Sequence, residues 1–156
     1  MIQRIQSVFL LLLAIAMIVL LFLPIWSETI PQTNQELELT AFQLTNNAAA
    51  NPTSTSSIAI GIIAIISACV ALYEIFQFKN RLTQMKLGML NSLLIAALLG
   101  AVVYYSLFVG EEINPAVEGH KEAGFYFPLA ALVLNSLANR FISRDEKLVR
   151  SVDRLR

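Results

Sequence analysis

The sequence predicts an all-α membrane protein: an antiparallel four-helix transmembrane bundle with a small external cap that has room for a short β-hairpin. Three observations predict it. Hydrophobic residues make up 56% of the 156 and are gathered into four long blocks, whereas the charged residues, 14%, fall almost entirely between the blocks. Soluble domains interleave the two. Every Lys and Arg except Lys121 falls in segments that would share one side of a membrane: Arg4, Lys79, Arg81, Lys86, Arg140, Arg144, Lys147, Arg150, Arg154 and Arg156. The alternate segments carry Glu28, Glu36, Glu38, Glu111, Glu112, Glu118 and Glu122. Cationic loops resist translocation, so both termini are expected in the cytoplasm. The whole chain, 1–156, reads as one integral membrane domain whose first partner is the lipid bilayer; nucleic acid is not an expected partner.

The first span, residues 7–26, contains no charge and as a helix covers roughly the 30 Å hydrocarbon core. Its apolar run exceeds the usual signal-peptide length, and Leu23-Pro24-Ile25-Trp26-Ser27-Glu28 lacks a small-residue cleavage site, so it is expected to be a retained anchor. The external segment 27–57 follows. Glu36-Leu37-Glu38-Leu39-Thr40 alternates polar and apolar side chains and could pair with Ser27 to Pro31 upstream, a hairpin pattern. The stretch NNAAANPTSTSS is turn-rich and is expected to be flexible. Residues 58–78, 87–109 and 123–142 are the second, third and fourth spans, with Glu74 and Arg140 as the ionic residues inside them. The cytoplasmic loop 79–86 is tight, which makes the second and third helices antiparallel neighbours. The external loop 110–122 is short and acidic. Trp26, Tyr73, Tyr104, Tyr105, Tyr126 and Phe127 read as interface anchors by position.

The tail 143–156 reads as a separate amphipathic helix. Leu148, Val152 and Leu155 recur at i, i+4 and i+7, and Ser143 with Glu146 fits a capping box that would start this helix afresh. Two uses are open to it: lying on the anionic cytoplasmic leaflet or docking a protein partner.

Small residues at helical spacing mark faces for close approach in lipid. Gly61, Ala64 and Ala68 form such a stripe in the second span, and Gly88, Ser92, Ala96 and Gly100 form one in the third. Glu74, Asn91, Asn135, Asn139 and Arg140 all fall within a few turns of the cytoplasmic boundary and could meet in one polar layer. Such a layer can fix helix register through a Glu–Arg and amide clamp, or it can hold a proton or cation.

Chemistry beyond this has little to stand on. No catalytic, cofactor-binding or metal-ligating residues are expected. His120 is the single histidine, and the single cysteine, Cys69, sits inside a span, so no thiol pair exists. Neither a phosphate loop nor a nucleophile–base arrangement is evident.

The opening M-I-Q-R-I-Q, followed directly by a leucine-rich span, and the closing A-N-R-F-I-S-R-D-E-K-L-V-R-S-V-D-R-L-R are not required by membrane insertion. With them the chain resembles, over its whole length, a bacterial family of short four-span inner-membrane proteins catalogued as a domain of unknown function. The resemblance implies a multi-pass protein of the bacterial cell envelope with no assigned catalytic residue or cofactor. The expected function is non-enzymatic: an accessory or scaffold subunit of a larger membrane assembly, associating with a membrane-protein partner or with copies of itself. The alternative is an oligomeric channel or carrier that uses the polar layer around Glu74.

Overall fold

The structure, a computed structural model, describes residues 3–30, 35–46, 53–78, 80–109 and 119–153. Four helices carry most of the chain: α1 (Gln3–Leu20), α2 (Ile58–Phe76), α3 (Arg81–Val103) and α4 (Ala123–Asp153). Three stretches, Ile58–Phe76, Arg81–Phe108 and Ala123–Val149, are long and apolar enough to cross a membrane. The apolar part of α1, Ile5–Leu20, is shorter. α1 stops well before residue 26 because Pro24 cannot continue a helix; after a turn at 21–23 the chain is extended from Trp26. α3 begins at Arg81, earlier than expected, because Asn80 caps it: its side chain accepts from the Thr83 amide at 3.3 Å. A π-helical segment, Tyr104–Val109, extends the end of α3.

Each helix packs against the next, α1 on α2, α2 on α3 and α3 on α4, and α4 returns to α1. The four therefore form a closed ring of neighbours. Phe9 and Phe141 stack at 5.7 Å between ring centroids and join the first to the last. Inside, Leu13, Met17 and Leu20 of α1, Ile60 and Ala64 of α2, Ile95, Leu98 and Val102 of α3 and Ala131 of α4 form one fully enclosed apolar cluster.

The segments that connect the helices make more than a hairpin. Five strands, β1 (Trp26–Ile30), β2 (Gln35–Leu39), β3 (Gln43–Asn46), β4 (Thr53–Ser56) and β5 (His120–Lys121), form one antiparallel sheet in the order β4-β3-β2-β1-β5. The expected pairing of β1 with β2 is present, with Ser27 opposite Glu38. Thr53–Ser56, read from the sequence as flexible, instead pairs with β3, Leu44 facing Thr55. Its threonines suit a strand, but its described side chains are exposed at the sheet edge, so no polar–apolar alternation announced it. The inner face of the sheet, Trp26, Leu37, Leu39 and Leu44, is buried and continuous with the helix cluster. Trp26 is thus a core residue here, not an interface anchor.

The sheet sits at the end where α1 and α3 finish and α2 and α4 begin. Three close contacts fasten it there. The Gly61 amide in the first turn of α2 donates to the Ala41 carbonyl at 2.8 Å, the Gly124 amide at the start of α4 donates to the Pro24 carbonyl at 2.9 Å, and Tyr105 Oη donates to the Ser56 carbonyl at 3.0 Å. A Cβ at Gly61 would lie 2.5 Å from the Phe42 ring, and one at Gly124 would lie 2.5 Å from the Pro24 oxygen.

α4 runs unbroken for 31 residues through Ser143, so the expected restart of a separate tail helix does not occur. Nothing between 140 and 147 breaks a helix, and the inward stripe Ala131, Asn135, Ala138, Ile142 and Asp145 continues across the expected junction. Leu148 is exposed, outside that stripe; the side chain of Val152 and all of Leu155 lie outside what the structure describes. Glu111, Glu112 and Glu118 also lie outside the described residues.

Backbone contact at Gly124 makes a test. Gly124→Ala should cost about 1–3 kcal/mol, because a carbonyl must move. Gly100→Ala meets nothing within 4 Å and should be neutral or gain up to about 1 kcal/mol. Thermal unfolding of both variants in one detergent checks this, and equal melting temperatures would contradict it.

Candidate functional site

The inward stripes of α2, α3 and α4 turn polar toward the end of the ring away from the sheet. Ser67 and Glu74 lie two turns apart on α2, Gln84, Gly88 and Asn91 follow at i, i+4 and i+7 on α3, and Asn135 faces them from α4; all are buried. Ser67 Oγ donates to Asn91 Oδ1 at 2.7 Å and ties α2 to α3. Asn135 Nδ2 donates to the Gly88 carbonyl at 2.9 Å and to Ser92 Oγ at 2.8 Å, tying α4 to α3. Gly88 is what lets α4 approach, since a Cβ there would collide with the side-chain amide of Asn139.

Glu74 stands opposite Gln84, whose Nε2 donates to the Glu74 backbone carbonyl at 3.4 Å. That level is about 10 Å along the helix from the Ser67–Asn91 bond, toward the α2–α3 turn. Its carboxyl is fully enclosed, and neither oxygen has a hydrogen-bond partner. Asn91 Nδ2, Asn135 Oδ1 and Asn139 Oδ1 are also unpartnered. Glu74 is therefore enclosed without being clamped.

Arg140, expected in this layer, is exposed and lines a surface depression with Ser143, Arg144 and Lys147. The ion pair near this end is instead Arg81 Nη1 with Asp145 Oδ2 at 3.6 Å, and Gln6 Nε2 donates to the same oxygen at 3.1 Å. These two contacts bring α1, α3 and α4 together. Gln6, Ser67, Arg81, Gln84 and Asp145 were not among the expected residues. The signal for Asp145 was present in the buried spacing that runs back through Ile142 and Asn135, and the supposed capping box obscured it.

Of the small-residue stripes, Gly61, Ala64, Ala68 and Gly88 are buried and Ser92 is half-buried. Ala96 and Gly100 are exposed. The inward face of α3 passes through Asn91, Ile95, Leu98 and Val102 instead. Among the described residues no group of three His, Cys, Asp or Glu could hold a metal ion. His120 is exposed in β5 and Cys69 is exposed on α2.

The outward surface has the opposite character. Ile15, Ile62, Ile65, Leu93, Leu129 and Val133 are examples of large apolar side chains that face away from the ring, drawn from all four helices. Apolar outside and partly polar inside inverts the arrangement of a water-soluble domain.

Residues 2–155 match the model of a family described as a domain of unknown function (DUF4293), and the chain belongs to that family. No curated protein matches it.

A double-mutant cycle tests the interhelical bonds. Removing Ser67 Oγ and the Asn91 amide singly and together, as Ser67→Ala and Asn91→Ala, should give a coupling of about 0.6–1.7 kcal/mol, the range for hydrogen bonds between helices in lipid. Strictly additive losses in unfolding free energy would mean that this bond does not hold α2 to α3.

Proposed function

We propose that this member of the DUF4293 family is a four-span protein of the bacterial inner membrane with both termini in the cytoplasm. It acts without catalysis, as an accessory or scaffold subunit of a larger membrane assembly. The observation that carries the membrane reading is the inverted surface. Large apolar side chains face outward on all four helices, and the apolar windows of three are long enough to cross a bilayer. Orientation follows from charge. Arg140, Arg144 and Lys147 are exposed near the end that carries the α2–α3 turn, while Glu36, Glu38 and Glu122 lie at the sheet end.

The interior supports association over a pathway through one chain. Its half nearer the sheet is filled by Leu13, Met17, Leu20, Ile60, Ile95, Leu98 and Val102, all without solvent exposure, so packed aliphatic side chains separate the polar layer from the sheet. What remains is a set of broad outward faces for lipid and for neighbouring helices. The unpartnered carboxyl of Glu74 is the one observation that favours the second reading, an oligomeric channel or carrier built around that residue.

Two measurements test the proposal. With Cys69→Ser as background, an impermeant thiol reagent added outside spheroplasts should label Glu36→Cys and leave Lys147→Cys unlabelled; labelling of Lys147→Cys would reverse the orientation. Gentle solubilisation followed by mass spectrometry should recover the chain with a stoichiometric membrane-protein partner or as a homo-oligomer. A protein that behaves as a lone monomer at native abundance would contradict the scaffold role.

A further inference from the structure

Glu74 has no structural task that its carboxyl performs. Its backbone carbonyl takes the hydrogen bond from Gln84 Nε2, while Oε1 and Oε2 bond to nothing in a fully enclosed position. The charged groups packed toward this level among the described residues are Arg81 from α3 and Asp145 from α4, and these pair with each other at 3.6 Å. α1 contributes the amide of Gln6, already given to Asp145 at 3.1 Å. A carboxylate enclosed with neither counter-charge nor donors is strongly disfavoured, and neutralising it removes the larger part of that penalty. A metal cation would need several converging oxygens. The other unpartnered oxygens on the described helices, those of Asn135 and Asn139, lie nearer Gly88, toward the middle of the ring. A proton needs no coordination shell.

Access to Glu74 is lopsided. Toward the sheet, the polar residues give way to the apolar packing of Leu13, Ile60, Ile95 and Leu98. Toward the α2–α3 turn, α2 ends at Phe76, two residues beyond Glu74 or about 3 Å of helix rise. There Gln6, Phe78, Arg81, Gln84 and Ile142 line a narrow crevice between the helices. Polar groups from three helices thus line a short approach from one end, and aliphatic side chains block the other.

We propose that Glu74 is a proton-binding site that exchanges with the cytoplasmic end of the ring, through the crevice beside Gln84 and the Arg81–Asp145 pair, and not with the sheet end. The proposal rests on the membrane orientation given above and gives the alternative reading of Glu74 a specific ligand and a side. It also separates proton binding from conduction: the site is a blind end within one chain, so its occupancy can alter the packing of α2 on α3 without carrying protons across.

The test uses the full-length protein in sealed, uniformly oriented membrane vesicles, with the acid-minus-alkaline infrared difference spectrum as readout. Wild type should show a protonated-carboxyl C=O band that is lost in Glu74→Gln and kept in Glu28→Gln, which alters another buried glutamate. Glu74→Asp should keep a displaced band and covers the case in which Glu74→Gln does not fold. In vesicles with the cytoplasmic face outward, the band should follow external pH directly. In the opposite orientation it should respond only after a protonophore equalises the two sides. A band that survives in Glu74→Gln, or a carboxyl indifferent to pH from either side, would overturn the site. An immediate response in both orientations would overturn its sidedness. Failure of the membrane reading would show separately, as release of the protein from vesicles by an alkaline carbonate wash.

Discussion

Helices that are apolar on their outer faces have no hydrophobic reason to choose one neighbour over another in a hydrocarbon solvent, so interhelical hydrogen bonds and close backbone approach must set the arrangement. In this chain such contacts centre on α3, which is joined to α2 by Ser67–Asn91 and to α4 by Asn135 on the Gly88 carbonyl and Ser92. Sliding any of the three by one turn would separate a donor from its acceptor inside the ring. The cost of an unsatisfied buried amide, about 1–3 kcal/mol, enforces the register more strongly than the bonds themselves reward it. α1 is held differently, by Leu13, Met17 and Leu20 in the apolar cluster and by Gln6 on Asp145 at its start.

The sheet depends on that register. Its strands are interleaved with the helices in the chain, and the bonds from Gly61 to Ala41 and from Gly124 to Pro24 form only if α2 and α4 begin at the correct height. Because Leu37, Leu39 and Leu44 share a core with Ile60 and Val102, the cap and the ring bury one continuous apolar surface. A two-stranded hairpin alone would be marginal; five strands with one face on the helices are not. The same closure packs Leu20, Ile25, Leu37 and Leu44 at the sheet end, where Glu28, Ser57 and Ser106 are also buried, while Glu74, Gln84, Asn91, Asn135 and Asp145 lie toward the opposite end.

Much of this architecture was legible in the sequence, and what was not has physical causes. Long apolar blocks revealed the four helices, and the alternation in Glu36-Leu37-Glu38-Leu39 revealed the pairing of β1 with β2. β4 was hidden because an exposed polar edge strand has the same composition as a loop. The continuity of α4 was hidden by Ser143 and Glu146, a valid capping pattern that a helix interior also tolerates when nothing breaks the backbone. Glu74, Asn91 and Asn135 are interior residues, whereas Arg140, one residue from Asn139, turns outward, since a step of one rotates a helix position by roughly 100°. Arg81, placed by the sequence in a loop, entered α3 through the Asn80 cap and took the ionic role expected of Arg140. Ala96 and Gly100 show that small-residue spacing marks a possible contact face, and that the larger inward residues Ile95 and Leu98 decide which face is used.

A ring that is apolar outside and partly polar within suits a bilayer. Nitroxide labels at the outward positions Ile15, Ile65, Leu93 and Val133, in protein reconstituted into liposomes, measure it directly through collision with molecular oxygen against a water-soluble metal chelate. Oxygen, which concentrates in hydrocarbon, should dominate at all four positions if these faces meet lipid. Preferential collision with the chelate at those positions would place the apolar faces in water and rule out a bilayer-embedded ring.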